Sequence, residues 1–175
     1  MGNVLAHRQY GDGVVMGSED IMAPKAHGTT ERPVQDQLKW NVDQELADRI
    51  CCYNRHYAEH SGYFRQIPDF LAEVEKSSGP VTFYDSVSGK PLFVAPKGRS
   101  KEEFLAESRS HGWPSFRDQE VVWENVRVLP NGETVSVDGT HLGHDLPDGR
   151  NRYCINLVCI AGKPVEAASS SKQAL

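Results

Sequence analysis

Apolar residues first fall into a helical rhythm after residue 41, where Leu46, Ala47, Ile50, Cys51 and Tyr53 recur at spacings of three and four. Asn41 as cap and Gln44 at the capping-box position place the start, so one helix is predicted over about 42–58. Pro68 precedes FLAEVEK, which reads as a second short helix. Beyond Ser77-Ser78-Gly79-Pro80 the period shortens to two, and VTFYDS, a Gly89-Lys90-Pro91 turn and LFVA predict strand, turn and strand. The segment SKEEFLAESRS, residues 100–110, pairs Ser100 with Glu103 as a capping box and sets Phe104 and Leu105 on an apolar face. VVWENVRVL and ETVSVDG flank Pro130-Asn131-Gly132 and predict an antiparallel pair. HLGHDLPDG, interrupted by Gly143, Pro147 and Gly149, reads as a loop, and RYCINLVCIAG as a closing apolar strand.

Short strands joined by antiparallel turns, with no repeating strand–helix unit, predict a mainly β or β-rich core rather than a doubly wound sheet. No glycine-rich phosphate cradle is present. Residues 1–37 lack a sustained period and read as an arm. With the helices they make an N-terminal extension, 1–79, packed on a domain at 80–163, and residues 164–175 read as a frayed tail. A chain of 175 residues fits one core better than two marginal ones. A net charge of -5 gives no bulk attraction for nucleic acid or an anionic membrane. No apolar run approaches the roughly 18 residues of a bilayer span. Four cysteines, at 51, 52, 154 and 159, are too few for a secreted disulfide scaffold. The expectation is a soluble intracellular protein in a reducing compartment, the organelle left open.

On a strand, Arg152, Cys154 and Asn156 share one face. A cysteine reacts as its thiolate, which a neighbouring guanidinium stabilises, so Cys154 is a candidate nucleophile; the bland alternative is a small buried hydrophobe. His141 and His144 lie just upstream and suit proton transfer near neutral pH. Three apart on a straight strand they would face opposite ways, so joint action requires a bend near Gly143. Trp113, between Gly112 and Pro114, reads as an indole presented by a fixed loop, able to wall an apolar pocket or to plug the core; Trp40 and Trp123 are assigned to packing. The four cysteines form no C-x-x-C element, which argues against a zinc site built from them. A histidine site drawn from His56, His60, His141 or His144 stays open.

In order along the chain, FYDSVSGKPLF at 83–93, GWPSF at 112–116, HLGHDLPDG at 141–149 and RYCIN at 152–156 resemble the catalytic domain of the methionine-R-sulfoxide reductases, over roughly residues 80–162. The resemblance implies two small antiparallel sheets with short helices outside. It implies thiol-dependent reduction of methionine R-sulfoxide, free or in proteins, without a cofactor. Cys154 is similar to the family's nucleophile, left as a sulfenic acid. His141 and His144 match the residues that protonate the sulfoxide oxygen, Trp113 matches the indole that receives the methyl group, and Asn156 and Arg152 match polar neighbours of the nucleophile. His111, Phe116 and Asp145 join Trp113 as substrate-side candidates. Cys51, Cys52 and Cys159 are the candidates to resolve the sulfenic acid. Strand parity disfavours Cys159, and Cys51 is preferred; a small thiol or a thioredoxin-like protein is the alternative reductant. Where relatives carry zinc cysteines this chain has Ser86, Ser88, Val135 and Asp138, so no structural metal is expected. Asp145 and Leu146 also depart from the family loop. A non-catalytic or differently selective binding module of the same fold is the competing expectation.

Overall fold

Helix capping decides where the first helix sits. The Asp43 carboxylate accepts a hydrogen bond from the Leu46 N–H at 3.0 Å, satisfying a first-turn donor that a helix cannot pair internally. Asn41 cannot be that cap, because it and Trp40 hold left-handed backbone, φ +57° and +62°. The computed structural model describes residues 13–165, so residues 1–12 of the expected arm and 166–175 of the expected tail lie outside the described residues. Its first helix, α1, runs Gln44–Asp48 and widens into a π-helical turn, Arg49–Tyr53. The predicted helix over 42–58 therefore stops at Tyr53, where the Asn54 N–H closes on the Arg49 carbonyl at 2.8 Å. Residues 57–60 continue without regular structure, so His56 and His60 share no helix face. Helix α2, Pro68–Lys76, carries its proline at the N-terminus, where the missing N–H costs no helical bond.

Strands β1, Val81–Tyr84, and β2, Pro91–Ala95, pair antiparallel with Phe83 opposite Phe93. Helix α3, Lys101–His111, opens with the predicted capping box: Ser100 Oγ accepts from the Glu103 N–H at 3.0 Å, and the Glu103 carboxylate accepts from the Ser100 N–H at 2.7 Å. It closes at Gly112, φ +92°, where a Cβ would lie 2.0 Å from Ser61 Oγ. Only glycine fits there.

A second sheet contains β3, Ser115–Phe116, β4, Val126–Val128, β5, Glu133–Ser136, β6, His141–Asp145, and β7, Tyr153–Ile155, in the order β3-β7-β6-β5-β4 with every neighbour antiparallel. Two expectations are corrected. The expected loop at 141–149 begins as the central strand, because β6 bonds to β5 on one side and β7 on the other. Gly143 does not break it: a Cβ there would stand 2.1 Å from the Cys154 carbonyl oxygen, so the glycine lets β7 approach. The expected closing strand is only three residues long, and the chain then turns into a 3-10 turn, Leu157–Cys159.

The architecture is mainly β, two antiparallel sheets with short helices. Phe83, Phe93, Phe104 and Phe116 are all fully buried, with Phe93 and Phe116 stacked at 4.3 Å between ring centroids. Trp40, Phe64 and Phe70 belong to the same hydrophobic cluster, with Trp40 meeting Phe70 edge-on at 5.3 Å. Each such ring contributes roughly 1.5–3 kcal/mol by leaving water. One core thus runs from the N-terminal segment into the strands.

Candidate active site

A bulge brings the two histidines together. In the β5–β6 ladder Thr134 opposes Gly143 but Val135 opposes His141, which leaves Leu142 as an extra residue. One extra residue shifts side-chain parity by one, so positions three apart come to the same face. His141 and His144 both line a cavity of about 460 Å³, together with Cys154, Asn156 and Trp113. The bend expected at Gly143 is this bulge, one residue earlier. Across β6–β7, His144 is the direct partner of Cys154, and directly opposed residues share a face with Cβ atoms roughly 4.5–5.5 Å apart.

Each ring is held by its Nδ1. His141 Nδ1 donates to Glu133 Oε2 at 2.8 Å and His144 Nδ1 to the Asp145 carbonyl at 3.0 Å, because a carboxylate or carbonyl oxygen only accepts. Nε2 is then the nitrogen of each ring that is left for a ligand. Burial raises the Glu133 carboxyl, but the bonds from His141 and Arg55 outweigh it and hold the group below its ordinary value. The Cys154 thiol is 8% exposed and lies 3.8 Å from Ser115 Oγ. Burial pushes it up, and the Arg152 charge and the Ser115 hydroxyl offset this only in part.

Segment 55–59 completes the site; the helix predicted over 42–58 reaches it and Tyr57 is a natural pocket contact, but neither periodicity nor motif spacing singled out Arg55 or Glu59. Arg55, His56, Tyr57 and Ala58 line the cavity. Glu59 behind them is 1% exposed and ties its own segment to the Trp113 loop and to residues 156–158. Its carbonyl accepts from Trp113 Nε1 at 3.1 Å, its N–H donates to Asn156 Oδ1 at 2.9 Å, and its carboxylate accepts from the Leu157 and Val158 N–H groups at 2.8 and 3.1 Å. Burial pushes this carboxyl up to about 8. Asn156 is further fixed by donating to the Leu142 carbonyl at 3.0 Å. The NRHYAE run, dense in polar side chains between apolar stretches, was the available sequence signal.

The remaining candidates lie elsewhere. Phe116 is a core ring stacked on Phe93 and lines no cavity with Cys154. Asp145 is fully buried and accepts from the Arg152 N–H at 3.0 Å; alternation turns its side chain away from its neighbour His144, so the extra carboxylate does not join the rings. Arg152 bonds His111 at 2.8 Å behind the cavity and acts on Cys154 through its charge. Cys51 and Cys159 face each other, sulfur to sulfur at 2.8 Å, and both are fully buried. The parity argument against Cys159 loses its basis because Cys159 sits on the 3-10 turn rather than on a strand, and the preferred Cys51 turns to Cys159 instead of the cavity. Cys52 lies 3.6 Å from Asp48 Oδ1, a carboxylate that also bonds His27. Ser86 Oγ donates to the Val158 carbonyl at 2.6 Å, and Asp138 pairs with Lys90 at 3.1 Å.

Among the described residues no helix is long and apolar enough to cross a membrane. The fold and cavity define a mainly β protein with one cysteine, three histidines, His56, His141 and His144, and an indole lining one cavity. No protein-family model matches the chain.

Proposed function

We propose that the chain reduces methionine R-sulfoxide to methionine, with Cys154 as nucleophile. The observation that carries this reading is the convergence of Cys154, His141, His144, Trp113 and Asn156 on a single cavity. The Trp113 indole, anchored through Nε1, offers its apolar face to the S-methyl group. The sulfoxide oxygen lies toward the histidine rings, which supply protons as the S–O bond breaks. The Cys154 sulfur takes the oxygen and is oxidised to a sulfenic acid, while the substrate sulfur gains the electron pair and leaves as a thioether. The thiol is protonated at rest, so Cys154 passes its proton to the neighbouring His144 ring as substrate enters, its charge is met by Arg152, and that proton ends on the oxygen of the sulfenic acid.

Among the described residues Cys154 is the one cysteine lining the cavity. Recycling therefore uses an external thiol. A first thiol displaces hydroxide from the sulfenic sulfur, released as water, and a second attacks the mixed disulfide and frees Cys154. A small thiol or a thioredoxin-like protein meets this need.

The raised Cys154 thiol and its low exposure favour a second reading, a pocket that binds thioethers or sulfoxides without chemistry. Reduced protein mixed with excess R-sulfoxide, and with the S isomer as control, separates the two. About one equivalent of thioether from the R form, lost in Cys154→Ser, supports the reductase. Saturable binding without any thioether supports the binding pocket.

A further inference from the structure

One wall of the cavity carries a ladder of charge that sulfoxide reduction alone does not call for. It runs from His141 to Glu133 at 2.8 Å, from Glu133 to Arg55 at 2.5 Å, and from Arg55 Nη1 to Glu19 at 2.5 Å. Side-chain exposure changes along it from 7% and 5% to 20% and then 66%. All four residues line the cavity that holds Cys154. The ladder leads from the reacting centre outward and ends in an ion pair at the solvent side. Arg55 spends Nε and Nη2 on Glu133, which fixes the guanidinium, and presents Nη1 to Glu19.

We propose that the Arg55–Glu19 pair receives the α-carboxylate and α-ammonium groups of free methionine sulfoxide, making the free amino acid the preferred substrate; this rests on the sulfoxide reading above. Four bonds separate the sulfur from the carboxyl carbon, a reach of up to about 6 Å at roughly 1.5 Å per bond. His141 and Arg55 both bond the one Glu133 carboxylate, so a substrate whose oxygen is held at His141 extends its zwitterionic end toward Arg55. The exchange conserves charge: one exposed ion pair, itself worth little, gives way to two, carboxylate on Arg55 and ammonium on Glu19. The charge-assisted bonds to a fixed guanidinium are the stronger kind. A methionine sulfoxide within a polypeptide offers two neutral amides in place of the charges. It leaves the Arg55–Glu19 pair closed. A site built for charge rejects the neutral analogue by leaving its own groups unanswered.

Calorimetric titration of the Cys154→Ser chain, with free L-methionine-R-sulfoxide and with its N-acetyl carboxamide, tests this. The free form should bind at least ten-fold tighter, and Glu19→Gln should cut that preference about five-fold while leaving the blocked form unmoved. Glu19 is exposed, so its substitution spares the fold. Equal affinities, a preference for the blocked form, or binding of neither overturns the proposal. Turnover by the unsubstituted chain keeps the two claims apart. Tight binding of the free form without reduction sinks the reductase reading and leaves this recognition standing, whereas reduction of both forms at equal kcat/KM does the reverse.

Discussion

Replacing Glu59 by glutamine probes the buried residue that holds the site together. Its carboxyl is pushed up to about 8 by burial, against an ordinary value of 4.5. Between those two values the unfolded chain has lost this proton and the native chain still holds it. Native stability therefore falls as pH rises, by about 1.4 kcal/mol per unit. The contribution is fully present below pH 4.5 and is lost as pH passes through 8. Allowing for the flattening near each end, the loss between pH 5 and pH 8 is on the order of 3–4 kcal/mol. Glutamine cannot ionise, so the variant lacks this slope. Its single amide oxygen serves only one of the Leu157 and Val158 N–H groups, a pH-independent cost of about 1–3 kcal/mol. Urea unfolding of both proteins at pH 5, 6, 7 and 8 gives the difference in stability at each pH, from which the other titrating groups cancel. That difference should favour the native residue most at pH 5 and shrink steadily toward pH 8. A flat difference would show that the two backbone N–H bonds keep Glu59 ionised throughout, and the argument from burial would then be wrong.

Other substitutions test single links. Gly143→Ala should cost about 3 kcal/mol or more, read as a lowered urea midpoint, since its Cβ would stand 2.1 Å from the Cys154 carbonyl oxygen; a midpoint unchanged would mean that β6 and β7 part easily. Cys154 should react with iodoacetamide more slowly than a model cysteine at pH 7, with a rate still climbing above pH 9, because its thiol is raised. Arg152→Met should slow it further, and a faster reaction in that variant would remove Arg152 from the account. Cys51→Ser and Cys159→Ser should leave turnover with a small-thiol reductant within about two-fold while lowering stability by about 1–3 kcal/mol; loss of recycling in either would make the pair part of the cycle. Trp113→Ala should raise KM for the sulfoxide at least ten-fold, measured by thioether formation, and an unchanged KM would deny the indole its methyl contact.

The capping box at Ser100 and Glu103 was legible because every group in it lies within four residues of its partner. The strand–turn–strand at 81–95 was legible because period two and a glycine–proline turn agree. What escaped was set by contacts distant in sequence. Gly143 looks like a breaker until β7 is laid beside it, when the same missing side chain becomes the condition for a central strand. Parity failed at two places where the backbone leaves the regular strand: the bulge at Leu142, which reverses the reading for His141 and His144, and the 3-10 turn after Asn156, which removes the basis for placing Cys159. The sequence pattern contained the chemistry of Cys154, His141, His144 and Trp113, and Tyr57 as a covering contact, but not Arg55 and Glu59 of the wall that encloses them. Arg55 and Glu59 follow a π-helical turn that no propensity marks, and their partners lie at positions 133, 113, 156, 157 and 158. That wall is what makes the cavity specific. Without the Glu59 backbone, Trp113 would lose the bond that fixes its aim and Asn156 one of its two, and without Arg55 the Glu133 carboxylate that orients His141 would be buried at 5% side-chain exposure with one cation fewer. The reacting groups sit on the sheet and are held by their own neighbours there, but the indole and the amide beside them take their aim from Glu59 of the segment that precedes it.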